Sequence, residues 1–146
     1  MNREAMTPCR FSDGSLVEPG VHDALLLGRI QDDNEVILFF EATEKGPRFV
    51  IRVTGVTEVF ATNSFGPTIV FEIERGALED IPSDILAEFT RSSDSSMVGM
   101  VKSGVAQSSG YVWIGSSYSS VLLICCVDEV PAMSWGQWNP ADLAVP

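Results

Sequence analysis

Glu72 and Glu74 stand two positions apart in the segment Ile69-Val70-Phe71-Glu72-Ile73-Glu74. Strand alternation puts both on one side, where paired carboxylates can do acid–base work or simply present charge to solvent. A solvated outer face is the plainer use of such a pair, and it is the one adopted. His22 is the single histidine, followed directly by Asp23, and serines are plentiful elsewhere. A Ser-His-Asp arrangement is not specified by this, because no G-x-S-x-G elbow accompanies it. His22 reads as a hydrogen-bonding residue at the entry to a strand. Cys9, Cys125 and Cys126 make an odd count with two neighbours, which is neither a disulfide framework nor a zinc ligand set. Adjacent strand residues face opposite ways, so Cys125 and Cys126 are read as small buried hydrophobes on two faces. Asp32-Asp33 and Glu79-Asp80 lack the D-x-[DN]-x-[DN]-G spacing of a calcium loop. Phosphate-cradling and dinucleotide-binding glycine patterns are likewise absent from the sequence. No catalytic, metal-ligating or cofactor-binding residue is therefore assigned, and the chain reads as a binding protein rather than an enzyme.

Charge then becomes the informative property. The 146 residues carry 20 acids and 9 bases, a formal net charge of −11. Such a balance opposes nucleic-acid binding, which needs bases to displace counterions, and it opposes docking on anionic lipid. The excess is local. From Glu72 to Glu88 there are six acids (Glu72, Glu74, Glu79, Asp80, Asp84 and Glu88) and one base, Arg75. No base follows Lys102. A negative face of this kind can steer a basic protein partner. The residues assigned to it are Glu72, Glu74, Asp80, Asp84 and Glu88. Trp135 and Trp138 are added because tryptophan is enriched at interface hot spots.

The elements that must carry these residues are mostly strands. Periodicity of two dominates: Ala24 to Ile30, Val36 to Phe40, Phe49 to Val53, Val56 to Ala61, Ile69 to Glu74, Met97 to Val105, Tyr111 to Gly115 and Val121 to Val127. Continuous apolar character in Val36 to Phe40 predicts a strand covered on both faces. Gly55 marks a bend or bulge. Ile81, Ile85, Leu86 and Phe89 fall on one helical stripe, and Pro82 suits a first turn, so one short helix is expected near residues 82–90. Residues 1–20 read as an N-terminal extension. The Pro/Trp tail, 131–146, is expected to wrap the domain without forming a regular strand. Eleven serines in the 29 residues from Ser92 to Ser120 are read as turns between hairpin strands. The expected fold is a single mainly-β domain over residues 1–146. It has about seven antiparallel strands, as a sandwich or partly open barrel. The N-terminus carries no apolar leader-like run, and with free cysteines a cytoplasmic setting is expected.

Several of these features occur together in a known order. His22-Asp23 leads into Leu25, Leu27 and Ile30, and Arg52-Val53-Thr54-Gly55-Val56 follows an apolar strand. Late in the chain, Ile114-Gly115-Ser116-Ser117-Tyr118 precedes Val121 to Val127. This order, over roughly residues 21–128, resembles small β-rich bacterial immunity proteins of polymorphic toxin systems that open on a His-Asp strand. The resemblance implies neutralisation of a cognate toxin by direct contact, with no catalytic residues required, and an acidic surface would suit a basic toxin. Two other readings stay open at this point: a self-associating structural module, and a β domain that binds a small ligand.

Overall fold

Strands form wherever the chain alternates or runs apolar. The computed structural model describes residues 6–42, 46–61, 68–84, 108–116 and 121–138. In chain order the strands are β1 (Thr7–Pro8), β2 (Arg10–Ser12), β3 (Ser15–Glu18), β4 (Leu25–Asp32), β5 (Glu35–Glu41) and β6 (Arg48–Thr54). They continue as β7 (Val56–Ala61), β8 (Thr68–Ala77), β9 (Gly110–Ser116), β10 (Val121–Cys126) and β11 (Met133–Gln137). The fold is mostly antiparallel β-sheet and is not closed into a barrel. The order across the sheet is β1-β11-β6-β5-β4-β8-β9-β10-β7, with the β2–β3 hairpin attached to β8.

This continuous sheet works as two leaves, β1-β11-β6-β5-β4 and β8-β9-β10-β7. One junction is the short pairing of Leu25 with Ile69 and Leu26 with Thr68. The other is Gly55, whose φ of +70° lets the chain leave β6 and begin β7 in the second leaf. Left-handed backbone of this kind costs an L-residue roughly 1–2 kcal/mol, so glycine at the bend is a requirement rather than a convenience.

Inner faces of both leaves share one core. Leu26, Val36, Leu38, Phe40, Phe49, Ile51 and Val53 come from the first leaf, and Val70, Ile73, Val112, Ile114, Leu122, Ile124 and Cys126 from the second. Each fully buried aliphatic side chain here contributes about 1.5–3 kcal/mol. The apolar run in β5 is explained by its outer face, where Ile37 and Phe39 join Val50 under Met6, Leu27 and Trp138. On the second leaf, Phe60, Leu78, Tyr111, Trp113, Leu123 and Cys125 form an outer cluster with Ile81. Cys125 and Cys126 therefore do face opposite ways, as alternation requires. Burial pushes their thiols up, to about 11 and about 12 respectively.

Three expectations are refined or corrected. Within the N-terminal extension, residues 7–18 contain three short strands. Asp13 (φ +50°) and Gly14 (φ +84°) make a tight turn between Ser12 and Ser15, the backbone that an Asp-Gly pair favours in hairpins. The tail does hold a regular strand, because eight proline-free residues separate Pro131 from Pro140 and five of them pair with β6 from Met133↔Val53 to Gln137↔Phe49. Thirdly, the alternation assigned to β8 changes phase. Val70 and Ile73 are 0% and 1% exposed, whereas Phe71 is 54% exposed. A bulge between Val70 and Glu72 absorbs the extra residue. Of the helix expected at 82–90, Ser83 and Asp84 have helical backbone. Its remainder, Glu88 included, and the strand expected at Met97 to Val105 lie outside the described residues.

Candidate functional site

Past the bulge, β8 sorts its charges by face. Ile73 packs in the inner core, and Arg75 follows it inward, its guanidinium 3.7 Å from the centre of the Phe11 ring and its Nη1 donating to Pro131 O at 2.8 Å. Glu72 and Glu74 take the outer face. Glu72 lies opposite Gly115 and Glu74 opposite Trp113 of the outer cluster. A Cβ added at Gly115 would meet Trp113 Nε1 at 3.2 Å and Glu72 Cγ at 3.7 Å, which places that carboxylate side chain beside the indole. The pleat thus segregates the segment's one base from its acids.

Immediately after β8 the chain makes a 3-10 turn, Leu78–Asp80, pinned by Leu78 inside the outer cluster. This turn holds Glu79 and Asp80 exposed, and Asp84 is exposed just beyond it. Tyr111 of β9 reports how these acids are gathered. It lies across from Gly76, where an added Cβ would sit 3.2 Å from Tyr111 Cε1, so the ring occupies space that only glycine leaves. The Tyr111 hydroxyl is held above the usual phenol range, first by burial and then by the charges of Glu74, Asp84 and Asp80. The charges of three of the five assigned acids are therefore felt at one side chain, and Glu72 lies on the same face along β8. Beside the turn lies a cavity of about 170 Å³ lined by Leu78, Glu79, Ser108, Ser109 and Glu129.

The sequence reading missed Tyr111 and Glu129 as members of this face. Only the β8–β9 register, Gly76 against Tyr111, brings the phenol to the acids, and no local signal encodes that pairing.

Trp135 and Trp138 belong to the other leaf. Trp135 meets Phe49 edge-on at 6.4 Å, and its indole nitrogen is buried without a hydrogen-bond partner among the described residues. Trp138 donates from Nε1 to Phe40 O at 3.1 Å, meets Phe39 edge-on at 5.3 Å and carries Arg48 over its ring at 5.5 Å. Both indoles are packed on the first leaf, and the acids are on the second. His22 and Asp23 form an exposed pair at 3.2 Å, with the imidazole tilted against Phe71 at 5.2 Å. Asp23 has φ +66° and donates its backbone N–H to Val70 O, a strand-entry role. Among the described residues no group of three His, Cys, Asp or Glu is placed to hold a metal ion. No described helix is long and apolar enough to cross a membrane.

Compared with known proteins, the chain matches no family model, no curated protein and no solved structure.

Proposed function

We propose that this protein acts by binding rather than catalysis, as a cytoplasmic immunity protein that neutralises a cognate toxin by direct contact. The partner is a basic toxin domain, and the contact surface is the outer face at the end of β8. The observation that carries this reading is the placement of Glu72 and Glu74 on the outer face of β8, continued by exposed Glu79, Asp80 and Asp84, with Arg75 turned to the opposite face. Clustered like charge of this kind raises the encounter rate with a basic surface and disfavours acidic competitors. The small cavity between Glu79 and Glu129 has carboxylates at its rim and Leu78 in its wall, which suits the long stem and charged head of a lysine or arginine.

The test is genetic and direct. A toxin domain encoded beside this chain is expressed in a sensitive bacterium with and without it. Growth is restored by the intact chain and lost again when Asp80 and Asp84 are both changed to lysine. Arrested growth in the presence of abundant, folded chain overturns the proposal.

A further inference from the structure

On the opposite side of β8 the local charge is inverted. A cavity of about 490 Å³ opens there, with Arg75, Arg52, Cys9, Met6, Met133 and Ser134 in its lining. Two of the chain's bases line it and no carboxylate does, although acids outnumber bases 20 to 9 in the sequence. Its volume lies within the range of about 300–1,000 Å³ that small-molecule sites occupy.

The two arginines differ in what they have left to offer. Arg52 is held by Glu35, with Nε and Nη2 each 2.7 Å from Oε2, so its charge is already balanced. Arg75 forms no ion pair with a carboxylate among the described residues. Phe11 stacks against the flat face of its guanidinium and Pro131 O takes one Nη1 proton, which fixes the group's plane and leaves other N–H donors of the fork unspent. Cys9 is the charge-capable neighbour of Arg75, and burial pushes its thiol up to about 12, so near neutral pH it is uncharged and does not balance the arginine. The cavity thus offers one fixed, uncompensated cation, a hydroxyl at Ser134 and walls of Met6, Cys9 and Met133.

We propose that this cavity is a binding site for a small organic monocarboxylate with an apolar body, the carboxylate paired to the fork of Arg75 and the body laid against Met6 and Met133. A carboxylate matches the guanidinium fork with two parallel hydrogen bonds, and a charge-assisted pair of that kind is roughly twice as strong as a neutral one. An apolar body is favoured over a hydrated anion by the thioether and thiol walls. This site stands apart from the acidic face and is independent of the toxin-binding reading.

Hexanoate and hexan-1-ol, which share the apolar chain and differ in charge, are the probes. Each is titrated into the isotopically labelled full chain up to about 20 mM, a range that reads millimolar dissociation constants from amide shifts. Hexanoate gives saturable shifts at Cys9, Arg75 and Met133, and hexan-1-ol binds the same place at least about tenfold more weakly. Arg75→Met weakens hexanoate by about tenfold or more. Ala132→Glu, which adds a carboxylate at an exposed lining position next to the Pro131 carbonyl that holds Arg75, does the same and serves if Arg75→Met fails to fold. Equal affinity for both probes, undiminished binding in a folded variant, or no saturable shift at these residues overturns the proposal. Toxin neutralisation is scored separately, so either reading can fail without the other.

Discussion

Tyr111 is the side chain on which the acidic face can be measured. Ionising it would place a phenolate in a buried position among three carboxylates, and both effects favour the neutral form. Its pKa is therefore raised, and the sign of each perturbation follows. Neutralising Asp80 and Asp84 with asparagine removes two of the three like charges and leaves burial in place. The Tyr111 titration, followed by phenolate absorbance against a Tyr111→Phe reference, moves down toward the ordinary value of 10 without reaching it. A titration that does not move places these acids too far away to form one face. At this scale the sequence is a partial guide. Glu72, Glu74, Asp80 and Asp84 are legible as a run of acids because charge is a property of residue type. Tyr111 is not legible, because its role depends on lying across from Gly76 in a register set by the whole sheet.

Elements were easier to read than their phase. Strand positions from β4 to β10 follow from apolar alternation, and the two-sided burial of β5 follows from its unbroken apolar run. A bulge leaves no such trace. It inserts a residue without changing composition, so Ile69, Phe71 and Ile73 look like one face when Phe71 is in fact outside. This distinction has a stability consequence. Ile73→Ala empties fully buried space and costs about 2–5 kcal/mol, whereas Phe71→Ser loses a contact with His22 and costs about 1 kcal/mol or less. Urea unfolding of the two variants measures both. Similar large losses would mean that the strand alternates strictly and carries no bulge. The β2–β3 turn is the opposite case: Asp13-Gly14 between Phe11 and Leu16 is a strong hairpin signal, yet each strand is too short to show a period of its own. Strand β11 was hidden for a different reason. Proline density describes the tail as a whole, and it says nothing about a five-residue stretch between prolines.

Across the whole molecule, the open two-leaf sheet separates three surfaces that the sequence interleaves. The first leaf is closed on its outside by Trp138 and its neighbours. The outer face of the second leaf carries the acids, and the cavity on the other side of β8 carries Arg75. A formal net charge of −11 thus conceals a strand whose consecutive residues Glu74 and Arg75 serve opposite electrostatic environments. Mainly-β class and single-chain charge imbalance were readable from composition and period alone. Which charges share a face was not, because it requires the pairing partners of β8. The proposed toxin recognition requires the acidic face to steer a basic toxin domain onto this protein. Stopped-flow association of the two proteins across a series of ionic strengths tests it most directly. Association of the unaltered chain should be fast at low salt and slow steeply as salt rises, and the Asp80→Lys, Asp84→Lys double variant should associate at least about tenfold more slowly at low salt with a flattened salt dependence. An association rate and salt slope unchanged by the double reversal would contradict the claim.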